Sequence, residues 1–196
     1  MVSVRLNGED SSIQSGGLTK FTDLVELIKA SIDPDHMITV IRIDGKELGD
    51  QEWMSTIPQL GTSIVEIETD TPERFVTERF SSAADVVRNC YMGFRDARKE
   101  FQNGSMNEGN RHLMRGVEIM RAFFDWYGSL LELVPPHRKS TYDIDTHVRE
   151  LSEVCKKICQ QQLYQSWWAL GETIQKELEP KLDKLEDHCR RFRASV

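Results

Sequence analysis

The sequence predicts an α+β protein: a small acidic domain of strands and one helix over residues 1–72, then an antiparallel four-helix bundle over residues 77–196. Three observations carry this. Apolar residues before residue 70 fall mostly at strand spacing, and after residue 77 they follow helical spacing. Charge is uneven: residues 1–70 hold 5 Lys/Arg against 13 Asp/Glu, a net −8, whereas residues 71–196 hold 20 against 19, a net +1. The two regions meet at Thr69-Asp70-Thr71-Pro72, where a proline breaks the strand pattern.

In the first region, Val2, Val4 and Leu6 alternate with polar residues as a strand, and Asn7-Gly8 follows as a turn. A second strand is expected around Ser12 to Gln14, ended by Gly16-Gly17. Phe21, Leu24, Val25, Leu27, Ile28 and Ile32 lie at helical spacing. Asp33-Pro34 stops that helix, because proline disfavours helix in the residue before it. Ile38, Val40, Ile41 and Ile43 form a β-branched run, and Asp44-Gly45 is a strong hairpin turn signal. Trp53 and Ile57 fall in a connector with a short helical turn. Ile64, Val65 and Ile67 make the last strand.

The resulting order, two strands, a helix, then further strands, resembles the β-grasp (ubiquitin-like) fold over roughly residues 1–70. That resemblance implies one mixed sheet wrapped on one helix. Ubiquitin-like modifiers and sulfur carriers end in a free Gly-Gly tail, whereas this segment runs on through Pro72. Docking is therefore expected, rather than conjugation or sulfur transfer.

In the second region, Ala83, Val87, Cys90, Phe94, Ala97 and Phe101 make one helical stripe, closed by Asn103-Gly104. A second helix carries two adjacent stripes: Leu113, Val117, Met120, Phe124, Tyr127, Leu131 and Ile119, Phe123, Trp126, Leu130, Leu133. Pro135-Pro136 ends it. Residues 137–143 read as a polar connector. Ile144, Val148, Leu151, Cys155 and Ile158 mark a third helix. Trp167, Gly171, Ile174, Leu178, Leu182, Leu185, Cys189 and Phe192 mark a fourth, in which Pro180 predicts a kink or a fresh start.

Within this region Tyr91 to Leu131, with Ala97, Glu100, Asn103-Gly104, Asn110, His112-Leu113 and Val117-Glu118-Ile119, resembles the two-helix core of flagellin-export chaperones. Trp167-Trp168-Ala169-Leu170-Gly171-Glu172 through Glu177-Leu178-Glu179-Pro180 is similar to a segment of uncharacterised bacterial helical proteins of that kind. The resemblance implies a bacterial, chaperone-like protein tied to flagellar or secretion machinery, binding a partner along the bundle surface.

Composition narrows the function classes. At 39% hydrophobic and 29% charged residues, the 196-residue chain has enough apolar surface for a folded core. No apolar run approaches the ~20 residues needed to span a bilayer. The N-terminus lacks a signal-peptide pattern, so a cytoplasmic location is expected. Cys90, Cys155, Cys159 and Cys189 form no C-x-x-C pair and are expected to be free thiols. The acidic first third argues against nucleic acid and anionic membrane as partners, because like charges repel.

Catalytic patterns are weak. Cys155 and Cys159, four apart on a helix, with His147 or His188-Cys189, have metal-ligand character, but Cys155 falls on an apolar stripe. Glu150 with Glu153, and Glu172 with Glu177 and Glu179, read as solvated helix faces. Gly104 to Gly109 lacks the lysine and preceding strand of a phosphate loop. We expect no catalytic residue, no metal and no cofactor. The expected function is a non-catalytic adaptor, scaffold or chaperone-like protein that binds another protein or itself.

The interaction candidates are Trp53, Trp167, Trp168, Arg190, Arg191 and Arg193. Adjacent Trp167 and Trp168 point ~100° apart on a helix, so both are covered only under a broad arc. The arginines read as a helix C-terminus complementing the macrodipole, or as a patch for an acidic partner, the protein's own first domain included. The competing readings are an enzyme or ligand sensor at the domain junction, drawing on His36, His112, His137 or His147, and a structural subunit self-associating through the wide apolar arc of the second helix.

Overall fold

The computed structural model describes residues 2–13, 15–49 and 53–192. The chain is α+β, with a mixed five-stranded sheet near its N-terminus and helices through most of the remainder. It divides into two compact units, Met1–Phe75 and Val76–Val196.

The first unit holds β1 (Ser3–Leu6), β2 (Glu9–Asp10), α1 (Phe21–Lys29), β3 (Met37–Ile43), β4 (Lys46–Glu47), the short α2 (Ile57–Leu60) and β5 (Ile64–Asp70). The sheet order is β2-β1-β5-β3-β4, with β1 and β5 parallel and the other neighbours antiparallel. Both hairpins turn in two residues, with φ of 51° at Asn7 and 86° at Gly8, and 51° at Asp44 and 77° at Gly45. Positive φ at both turn positions matches the right-handed twist of the flanking strands, which is why Asn-Gly and Asp-Gly occupy them. The tight first turn also moves the second strand: it lies at Glu9–Asp10, not around Ser12 to Gln14, because pairing resumes as soon as Asn7-Gly8 closes. Gln14 is outside the described residues. Phe21, Leu24, Val25 and Ile28 of α1 form one core with Val2, Val4, Ile43, Ile57, Val65 and Ile67.

Residues 73–76, expected to link two domains, are instead helical, within α3 (Pro72–Phe80). Thr71 Oγ1 accepts a hydrogen bond from the Arg74 N–H at 3.3 Å, capping the first turn. Pro72 then sits at the first helical position, where its missing N–H leaves nothing unpaired. The strand breaker is thus a helix starter.

The second unit holds α4 (Ala83–Gln102), α5 (Met106–Leu133), a 3-10 turn (Pro136–Tyr142), α6 (Asp145–Leu163), α7 (Trp167–Thr173), a π-helical turn (Ile174–Leu178) and α8 (Glu179–Arg190). Phe94 lies against Gly116 and Phe101 against Gly109, so α4 and α5 run antiparallel. A Cβ on Gly109 would stand 2.6 Å from the Phe101 ring, and one on Gly93 would stand 3.3 Å from the Gly116 Cα. At Gly109 any larger residue forces the Phe101 ring to move, and at Gly93 it crowds the facing backbone. On the other side of α4, Gln102 Nε2 donates to Gln175 Oε1 at 3.3 Å, and Arg98 Nε to Glu179 Oε1 at 2.7 Å. These pairs set α4 antiparallel to the C-terminal helices. Gln161 Nε2 donating to Thr173 Oγ1 (2.9 Å), and Lys181 to Glu150 (2.7 Å), do the same for α6.

Pro180 has no N–H to give the Lys176 carbonyl, and its ring crowds the turn before it. The π turn at Ile174–Leu178 and the restart at Glu179 relieve both, realising the break expected there. Far from the α4–α5 turn, Phe80 stacks on Tyr142 (centroids 4.4 Å, 23°), beside Tyr127 (4.7 Å) and Phe192 (5.8 Å). All four are at most 2% exposed. Tyr127 Oη donates to the Tyr142 carbonyl at 2.6 Å. The expected polar connector therefore supplies a core aromatic.

Candidate interaction surface

One end of the second unit gathers the α4–α5 turn and the α6–α7 turn; we term it the tip. Gln162 Nε2 donates to Asn110 Oδ1 at 3.1 Å, tying the two turns together. The Phe101 ring lies over Gly109, and Trp167 stacks on it at 5.5 Å and 12°. Gln165, at φ 53°, turns the chain between α6 and α7. The turn is anchored on both sides of Gln165: its own N–H donates to Gln162 O (3.0 Å) and the Ser166 N–H to Gln161 O (2.8 Å).

This frame separates the two tryptophans. Trp167 is half-buried against Phe101, whereas Trp168, one residue on, points away and is 76% exposed. Leu163 (81%) and Tyr164 (82%) are exposed on the same turn. Three large apolar side chains are thus left exposed at or beside one hydrogen-bonded turn. Leu163 and Tyr164 escaped sequence reasoning because they fall outside any helical stripe; the signal available was apolar residues just past the last position of one.

The other candidates are placed as follows. Trp53 is 40% exposed and meets the buried Phe21 ring edge-on at 6.0 Å, so half of it serves the first unit's core. Arg190 pairs with Glu186 and, at 3.1 Å, with Asp187 on its own helix, which neutralises it for an acidic partner. Arg191 lies at the end of α8, and Arg193 is outside the described residues.

The thiols do not assemble a reactive centre. Burial pushes Cys90 and Cys189 up to about 12 and Cys155, which the neighbouring Cys159 also affects, up to about 11. A thiol held so high is a poor nucleophile and ligand at neutral pH. Cys159 is exposed. Among the described residues no group of three or more His, Cys, Asp or Glu is placed to hold a metal. His147 and His188 meet edge-on at 5.1 Å. His188 is held below its ordinary value, chiefly by burial, with His147 and Arg191 adding and Asp143 opposing. Glu150 is lowered by its pairing with Lys181, the behaviour of a solvated ion pair.

An apolar groove of about 370 Å³ lies on the second unit, lined by Val86, Ile119, Phe123 and Trp126 with Arg79 and Ser82 at its edge. A shallow one of about 300 Å³ lies by Lys139, Asp143 and Asp145. No histidine lines either groove. Among the described residues no helix is long and apolar enough to cross a membrane.

What fold and site define together is an α+β chain with an uncovered aromatic turn. Comparison with protein families, curated proteins and solved structures gives no match.

Proposed function

We propose that this chain is a non-catalytic protein-binding module: a β-grasp-like unit joined to an antiparallel four-helix bundle whose tip is the docking surface. One observation carries the reading: Leu163, Tyr164 and Trp168 stand exposed on a turn that hydrogen bonds hold in place. Exposed Trp and Tyr on a preorganised frame lose little entropy on binding and are enriched among the residues that dominate interfaces. The resemblance of Tyr91–Leu131 to flagellin-export chaperones fits as well, since those proteins hold a partner.

The test is an affinity pull-down from the protein's own cells, read by mass spectrometry, with Trp168→Ala beside wild type. Trp168 is the residue to change, because removing Trp167 would also uncover Phe101. We expect the variant to melt like wild type and to lose its specific partner. A partner retained by the variant moves the docking surface elsewhere. A conversion of a small molecule by the purified chain overturns the reading.

A further inference from the structure

We infer that His147 and His188 form an acid-sensitive latch at the end of the helical unit opposite the tip, where proton uptake loosens the first turn of α6 from α8 and leaves the rest of the bundle closed. The two half-buried imidazoles come from different helices and meet edge-on at 5.1 Å and 68°. His188 also meets Phe192 edge-on at 5.6 Å and 78°, and Phe192 in turn lies 5.2 Å from Tyr142. His188 is thus the ring that joins the start of α6 to the buried aromatic cluster. Neutral rings suit such contacts. Two imidazolium ions at this separation repel, so the closed arrangement favours an uncharged pair.

The surrounding groups leave that preference in place. Burial, then His147 and Arg191, oppose a proton on His188, while Asp143, just ahead of α6, favours one. Asp143 is already engaged, since its Oδ1 accepts the Asp145 N–H at 2.8 Å where α6 begins. On the His147 side stands Glu150, paired with Lys181 of α8 at 2.7 Å and near Lys184. Lys181 holds the Glu150 carboxyl below its ordinary value, so this ion pair persists to lower pH than the histidine range. Beyond it Leu151 and Val154 are at most 4% exposed. The ion pair and these apolar residues keep the remainder of α6 on the bundle. The turn that loosens follows Ile144, itself 4% exposed, so it opens transiently rather than swinging free.

Hydrogen exchange of the full chain at pH 7 and pH 5, corrected for the chemical exchange rate, tests this. The reporter is the Val148 N–H, which donates to the Ile144 carbonyl at 3.0 Å. Its protection is expected to fall about tenfold, the factor that one proton taken up over one pH unit brings, while the amides from Val87 to Ala97 in α4 keep theirs. His188→Asn should abolish the fall, and His147→Asn should reduce it. Protection at Val148 that does not change with pH overturns the inference. So does a fall that either variant retains in full, and so does an equal fall in α4, which marks opening of the whole bundle. Should His188→Asn fail to fold, His147→Asn decides alone, a reduced fall upholding the latch and a full one overturning it.

Discussion

The two ends of the helical unit use aromatic residues in opposite ways. At the base, Phe80, Tyr127 and Tyr142 come from three separate elements and Phe192 from the segment just after α8, and the four cover one another to 2% exposure or less. At the tip, Phe101 and Trp167 cover each other, while Tyr164 and Trp168, no less aromatic, are left in water. The difference is not in the residues but in whether a second element arrives opposite them. The base has one, since the chain returns across it through the 3-10 turn. At the tip, no described element of the helical unit covers the side chains of Tyr164 and Trp168.

The largest expected effect tests the base. Phe80→Ala removes the ring on which the cluster stacks and should cost about 3–5 kcal/mol in urea denaturation. A loss below about 1 kcal/mol would show that the cluster is not what closes this end. Next is the buried half of the tip. Glycine to alanine in a helix interior normally helps by about 0.5–1 kcal/mol. Gly109→Ala should instead destabilise by about 1–3 kcal/mol, because the Phe101 ring must move and its stacking on Trp167 goes with it. A stabilised variant would mean the ring has room to shift.

The smallest effect returns to the base as a slope in pH. His188 is held below its ordinary value, so the folded chain resists taking a proton that the unfolded chain accepts. Stability is then full above about 6.5 and falls as pH is lowered through that value toward the folded one. His188→Asn should flatten this part of the melting-temperature profile. An unchanged slope would assign the acid sensitivity to other groups.

Much of the fold was legible. The Asn7-Gly8 and Asp44-Gly45 turns and the α1 stripe are local signals, and the structure uses them. The α4 stripe is buried as read, from Ala83 to Phe101. What was not legible depends on partners. The α5 seam runs through Gly109, Leu113, Gly116, Phe123, Tyr127 and Leu130. Two of its members are glycines, so hydrophobicity split the seam into two stripes and assigned Val117, which is 39% exposed, to one of them. Thr71-Pro72 reads equally as an end and as a beginning; only the chain after it decides. For Trp167 and Trp168, helix geometry says that a narrow contact covers one. Which one is decided by Phe101, sixty-six residues earlier in the chain.

The π turn before Pro180 has one more consequence. Leu170, Ile174, Leu178 and Leu182 follow one another at steps of four and are each at most 1% exposed. In a regular α-helix each residue advances about 100°, so three such steps overshoot three full turns by about 120°. Leu170 and Leu182 would then face different directions. The wider π turn advances less per residue and takes up the excess. It works as a phase corrector between the two halves of the C-terminal rod, keeping α7 in step with α8. Trp168 rides on the far side of that correction. Its outward angle is fixed by the Phe101 contact with Trp167 at one end of α7, while the π turn at the other end keeps the buried face of α7 in line with that of α8.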